Sequence, residues 1–334
     1  MKIALDMLCG DNAPVAMIEG ALAAVNADPT LEVVLVGDKS TAARVIGARQ
    51  TDRISVCQAE EAISMTDAPS AVMKEKSNSS MAIAARLLKE GKVDAMVSAG
   101  NTGALFTAAS LVVRRIKGVR RAAIGTILRF DNPVLLLDMG ANLDATPDIL
   151  DLYGRMGSIY VSKMLGIDSP RVALLNNGTE ETKGTELYTS AHAIMKHDRA
   201  INFVGNCEAN MITQNFCDVL VCDGFSGNIA LKTLEGASKF ILGKVKHVFT
   251  DSLPGNIAGL MMKPSMSKLK TDFDPKEYGG APFLGISKPV IKAHGNSDAR
   301  AIAVALHQAR LYAESGAIRS IAENISQQGN DYNE

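Results

Sequence analysis

Seven stretches of this chain gather glycine and small polar side chains: Gly10-Asp11-Asn12-Ala13-Pro14, Ser98-Ala99-Gly100-Asn101-Thr102-Gly103, Met139-Gly140-Ala141-Asn142, Asn176–Gly184, Gly205-Asn206-Cys207-Glu208, Asp223-Gly224-Phe225-Ser226-Gly227-Asn228 and His294-Gly295-Asn296-Ser297. Glycine lets backbone amides approach a ligand, and Ser, Thr, Asp and Asn at helix starts cap the helix and leave N–H donors free. Such loops suit a small anion, phosphate foremost. The candidate binding residues are Asp11, Asn12, Ser98, Gly100, Asn101, Thr102, Gly103, Asp138, Asn142, Asn176, Asp223, Gly224, Ser226 and Gly227. Cations placed to help are Lys183, Lys232 and Lys292. Lys183 is favoured, because it lies in a Gly-bounded loop rich in Asn, Thr and Glu. The competing reading of any lone lysine is a solvated surface charge.

The signatures that are missing narrow the chemistry. The chain has no Walker A loop, G-x-G-x-x-G fingerprint, G-x-S-x-G elbow or H-E-x-x-H pair. Asp6, Asp11, Asp138, Glu208 and Asp223 are scattered over separate loops, which favours caps and orienting groups over a metal site. Of the 5 histidines only His294 falls in one of these loops, as a proton donor or orienter. The 5 cysteines are odd in number and include no C-x-x-C pair, so a disulfide framework is not expected and a reducing cytoplasm is. An anion site without an assembled nucleophile points to the anion as nucleophile. Phosphate is already ionised; it needs only to be held in line with an activated carbonyl while the oxyanion is stabilised. A thiol leaving group, with a pKa near ~8.5, needs little acid assistance.

Most of these loops follow short apolar runs. Strands are expected at Ile3–Met7, Glu32–Val36, Ile54–Cys57, Asp94–Ser98, Ile124–Leu128, Val134–Asp138, Arg171–Leu175, Ile201–Val204, Val219–Cys222 and Val290–Lys292. Several are continuous Val/Leu/Ile runs, as in strands buried on both faces. Helical spacing marks 148–165 and 298–312. Alternating β and α predicts an α/β fold of three α/β/α layers around a mostly parallel sheet. All the strand ends would then meet on one rim, where open α/β sheets bind ligands.

The remaining features bound the protein's class. Its 334 residues carry 35 basic and 36 acidic side chains, so a nucleic-acid binder is not expected. No apolar run approaches ~18 residues, which excludes a spanning helix, and no signal-peptide core opens the chain. One α/β/α catalytic domain is expected over 1–325, with a frayed polar tail at 326–334. Within it an amphipathic hairpin at about 239–270 projects, either to pack on the body or on a second subunit, or to dip Ile257, Leu260, Met261 and Met262 into a membrane surface.

At these loops the sequence resembles the phosphate acyltransferase family of bacterial phospholipid synthesis. The match is carried by GDNAP (Gly10–Pro14), VSAGNTG (Val97–Gly103), LDMGAN (Leu137–Asn142), TKG (Thr182–Gly184), VCDGFSGNIALK (Val221–Lys232), EYGGAPFL (Glu277–Leu284) and VIKAHG (Val290–Gly295), in the family's order from Met1 to about residue 312. Cys9 stands where the family usually has a first glycine, and Ala209-Asn210 replace a frequent Gly-Arg pair. The resemblance implies transfer of a long-chain acyl group from acyl carrier protein to inorganic phosphate, giving acyl phosphate and free carrier. It implies a fold similar to isopropylmalate dehydrogenase and phosphate acetyltransferase, a homodimer, and no metal or organic cofactor. It also implies peripheral membrane association, with a membrane glycerol-3-phosphate acyltransferase consuming the product. In this reading Lys183 stabilises charge, Asn228 is a polar donor and His294 an orienter or proton donor.

An acidic carrier protein would meet the one dense basic cluster, Arg114, Arg115, Lys117, Arg120 and Arg121. The alternative there is a solvated helix end favoured by its dipole. Competing functions are a short-chain acyl-CoA:phosphate transferase and a non-catalytic scaffold recruiting carrier protein; a hydride-transferring relative lacks its fingerprint.

Overall fold

The computed structural model describes residues 1–49, 51–251, 258, 259, 261–263, 266 and 279–331. The strands are β1 (Lys2–Asp6), β2 (Glu32–Gly37), β3 (Ile54–Gln58), β4 (Ala95–Ser98), β5 (Ala123–Arg129), β6 (Pro133–Leu137), β7 (Arg171–Asn176), β8 (Asn202–Glu208), β9 (Val219–Val221), β10 (Ala281–Leu284) and β11 (Val290–Lys292). They form one 11-stranded sheet in the order β3-β2-β1-β4-β11-β10-β5-β6-β9-β7-β8. The helices are α1 (Val15–Ala27), α2 (Lys39–Ile46), α3 (Ser80–Lys89), α4 (Thr102–Ala108), α5 (Pro147–Leu165), α6 (Glu186–His197), α7 (Gly224–Thr250), α8 (Ala299–Glu314) and α9 (Ala317–Asp331).

The continuous apolar runs do what two-sided burial requires. Along β1, Ile3 and Leu5 enter one core while Ala4 enters another; Leu135 and Leu137 of β6 likewise part from Leu136. The first core lies under α1, α5, α6 and α8. On the opposite face α3 and α4 cover β1, β2 and β4, and the first turns of α7, through Ala230, Leu231 and Leu234, cover β6, β7 and β9. Each side chain of Leu or Val size so buried contributes about 1.5–3 kcal/mol. Helix starts are fixed locally: Asp38 accepts from the Thr41 N–H, Ser79 from Ala82, Asn101 from Ala104 and Asp298 from Ala301.

The three-layer α/β architecture expected from the sequence is present, but the single rim is not. β10 runs antiparallel to both β11 and β5, and β5 antiparallel to β6. β6, β9, β7 and β8 therefore run opposite to β1–β4 and β11, and their following loops leave the other end of the sheet. The reversal falls at the β5–β6 hairpin, because the two antiparallel pairings of β10 leave β5 parallel to β11; β10 itself is a strand the sequence reading passed over. Its four residues, APFL, include a proline and no β-branched side chain, so they gave little strand signal.

Two further boundaries differ. The amphipathic segment begins inside one long helix, α7, that starts at Gly224. A methyl group added at Gly236 or Gly243 would touch nothing within 4 Å, so the outer half of α7 stands off the body. Gly259 lies against Phe249 of this helix. Ile257 and Leu260 fall outside the described residues. At the other end α9 continues to Asp331, through most of the segment expected to fray; Ile321 and Ile325, packed on the first core, anchor it.

Candidate active site

On the face shared by α4 and α7 the helices part above β10 and β5, leaving a cavity of about 460 Å³, a size suited to a small-molecule ligand. Polar side chains on its wall include Asp11, Thr102, Asn228, Lys232, Glu235, Lys292 and His294. Apolar side chains on the same wall include Met65, Leu128, Phe130, Met139, Leu231 and Leu234. Residues from both oppositely directed halves of the sheet meet here, so the reversal between β5 and β6 builds a cleft instead of a rim.

Lys292 closes β11 and is only 8% exposed. Its Nζ donates to the Ala99 carbonyl at 3.3 Å and to the Ala293 carbonyl. Among the described residues no carboxylate ion-pairs with it. Burial pulls the ammonium down to about 8, against the opposing influence of Cys9, Asp11 and Asp6. Beside it, Asp6 accepts from Ser80 Oγ at 2.6 Å and Ser98 Oγ at 2.7 Å, and Ser98 Oγ accepts from the Gly100 N–H at 3.1 Å. Ser98 is thus a buried strut between β1 and β4. Cys9 points into packing: its thiol donates to the Ile63 carbonyl at 3.5 Å and burial pushes it up.

His294 follows two residues on. Its Nδ1 accepts from the Asn296 N–H at 3.3 Å, which leaves the proton of the neutral ring on Nε2. Burial lowers the imidazole below its ordinary value; Lys292 and Lys232 push the same way and Glu235 opposes them. Glu235 pairs with Lys232 at 2.8 Å. The first loop is tied to the same wall, since the Asp11 N–H donates to the Gly295 carbonyl at 2.8 Å and Asn12 Nδ2 donates to the Asn296 and Ser297 carbonyls.

Several candidate binding residues prove to be builders of this cavity. Asp138 is buried and accepts from the Ile124, Gly140, Ala141 and Asn142 N–H groups, with burial raising its carboxyl against those bonds. Asn142 Nδ2 donates to the Ala122 carbonyl, Asp138 and Tyr153. Asp223 caps α7 by accepting from the Phe225 and Ser226 N–H groups and from Ser226 Oγ, and it takes a further bond from Tyr188. Gly224 and Gly227 let α7 press onto the turn after β6: a Cβ at Gly227 would sit 1.9 Å from the Asp138 carbonyl oxygen. Gly140, at φ +131°, passes directly beneath Asn228, where a Cβ would meet Nδ2 at 3.0 Å. Asn101 clips the 64–67 loop by donating to the Ser64, Met65 and Asp67 carbonyls. Gly100 and Gly103 admit Cys9 and Pro69 respectively.

Other expectations lie apart from the cavity. Lys183 is exposed on the loop after β7, with Asn176 Nδ2 donating to its carbonyl. β7 stands two strands beyond β6, ~10 Å across the sheet. The basic cluster Arg114, Arg115, Lys117, Arg120 and Arg121 is exposed. It follows a π-helical turn that extends α4 from Ala109 to Arg114, so it sits at the helix end remote from the cavity, roughly 18 Å along. Arg120 pairs with Asp148. Met261 and Met262 are 79% and 45% exposed. Among the described residues no helix is long and apolar enough to cross a membrane, and no three His, Cys, Asp or Glu side chains gather as a metal site needs.

A cavity joining one buried cation and a histidine to an apolar wall fits an enzyme that brings an anion to an acyl group. The comparisons agree with that class. Residues 1–320 match the family model described as fatty acid synthesis protein. A phosphate acyltransferase of Bacillus licheniformis is 44% identical over 99% of this chain and 100% of its own; that of Bacillus subtilis is 42% identical over 99% and 100%. Among solved structures, a phosphotransacetylase from Streptococcus pyogenes aligns with a TM-score of 0.63 at 17% identity, covering 96% of this chain and 94% of its own. A branched-chain phosphotransacylase from Enterococcus faecalis aligns at 0.59 and 13%, covering 94% and 99%. These likenesses show a shared fold. The chain belongs to the phosphate acyltransferase family and is an acyltransferase.

Proposed function

We propose that the chain transfers a long-chain acyl group from the thioester of acyl carrier protein to inorganic phosphate, for phospholipid synthesis. A phosphate oxygen attacks the carbonyl carbon, the C–O bond forms as the C–S bond breaks, and the carrier leaves as a thiolate that takes up a proton. The observation that carries this reading is the mixed lining of the cavity: His294, Asn228 and Thr102 share it with apolar side chains that suit an acyl chain. His294 Nε2–H and Asn228 are assigned to the developing oxyanion. The exposed basic cluster at 114–121 is assigned to the acidic carrier, and the exposed outer half of α7, with Phe240, Ile241 and Val248, to a membrane surface or a second copy of the chain. The product, an acyl phosphate, would pass to a membrane glycerol-3-phosphate acyltransferase.

The likeness to phosphotransacetylases favours one second reading, a short-chain acyl-CoA:phosphate transferase. Thiol release from long-chain acyl carrier protein and from acetyl-CoA, each with and without phosphate, separates the two. The proposal expects phosphate-dependent release from the carrier-linked donor and little from acetyl-CoA. Preference for acetyl-CoA would replace it with the second reading.

A further inference from the structure

We infer that Lys292 is the residue that holds the phosphate in the cavity, by an N–H of its ammonium directed away from the backbone. This rests on the acyl-transfer reading above and deepens it. An ammonium has three donors. Two of them are taken by the Ala99 and Ala293 carbonyls, which fix the group at the end of β11, and no ion pair among the described residues uses the third. A cation 8% exposed with no ion-paired carboxylate is costly to keep in a cavity wall. Asp6 and Asp11 act on it only at longer range, and an anionic ligand supplies a counter-charge in direct contact from the cavity. The other cation on this wall, Lys232, is exposed and already paired with Glu235, so it offers a weaker, screened charge.

The surroundings fit a site poised for an anion that comes and goes. Asp6, Cys9 and Asp11 face Lys292 from β1 and its loop and His294 from its own strand end, and Lys232 and Glu235 of α7 act in turn on His294. Asp6 is occupied by two serine hydroxyls. Burial lowers the ammonium to about 8, so the group is mostly charged at neutral pH and loses its charge as pH climbs through that value. Phosphate affinity therefore falls on the alkaline side.

The test is Lys292→Met, with Lys292→Ala as a second variant, each checked for folding by its melting temperature. A lost charge-assisted hydrogen bond should raise the KM for phosphate about 10- to 100-fold, while the KM for the acyl donor changes little. The alkaline limb of phosphate affinity in the wild type should vanish in both variants. Adding inorganic phosphate should raise the wild-type melting temperature by more than that of either variant, which a purely structural lysine would not produce. An unchanged KM for phosphate in a folded variant, or a loss confined to kcat, overturns the assignment. If the wild type itself needs no phosphate for thiol release, the acyl-transfer reading fails instead.

Discussion

Two lysines of this chain invite comparison. Lys183 lies in a glycine-bounded loop among Asn, Thr and Glu, the composition expected of an anion site, and it stands exposed in solvent. Lys292 ends the short apolar strand Val290-Ile291-Lys292, and it is nearly buried in the wall of the cavity. The interaction of a cation with an anion grows as water is excluded and shrinks where ions and solvent screen it. Composition locates loops that can bend round a ligand; burial decides which charge is strong when the ligand arrives. The Asn- and Gly-rich loops after β6 and β9 illustrate the division of labour, since Asp138, Asn142, Asp223 and Gly227 spend their groups on fixing α7 above the sheet.

Three changes sharpen this contrast beyond the Lys292 variants, which carry the largest expected effect on phosphate. His294→Gln keeps a donor but moves it; turnover should fall about 10²-fold, the scale of a misplaced oxyanion donor or proton carrier, read as kcat at saturating phosphate. Asn228→Ala removes a donor that contacts Gly140 and should cost about tenfold in kcat with the fold intact by circular dichroism. Lys183→Ala should cost less than either Lys292 variant in phosphate KM. A larger loss at Lys183 than at Lys292 would break the comparison and move the anion site to the loop after β7.

Much of the fold was legible in the residues, because doubly buried strands write themselves as runs such as Val33–Val36 and Leu135–Leu137, and helix starts as Asp38, Ser79, Asn101 and Asp298. The direction of the strands was not. β10, with Pro282 and Phe283, gives no period of its own, and pairs with distant Ile124 on one side and with Ile291 of the adjoining β11 on the other. The second half of the sheet is turned over by the hairpin between β5 and β6, two strands that were both expected; reading all the strands as parallel assigned the loops to one rim and hid the cleft between two opposed halves. The site was legible in part. Asp11, Thr102, Asn228 and His294 reach the cavity, and Lys292 was noted only as one cation among three. Its burial depends on Ala99 and Ala281 lying beside it from other strands, contacts that sequence spacing does not encode. The apolar wall drew on residues too scattered to form a pattern: Met65, Leu128, Phe130, Met139 and Leu231.

The central claim is that phosphate itself attacks the thioester, with no acyl group first passing to the protein. Rapid-quench measurement of thiol release from long-chain acyl carrier protein, at enzyme concentrations near that of the donor and in phosphate-free buffer, tests it most directly. The account predicts no burst until phosphate is added, and then release matched by acyl phosphate. A burst equal to the enzyme concentration before any phosphate is present would reveal an acyl-enzyme and contradict it.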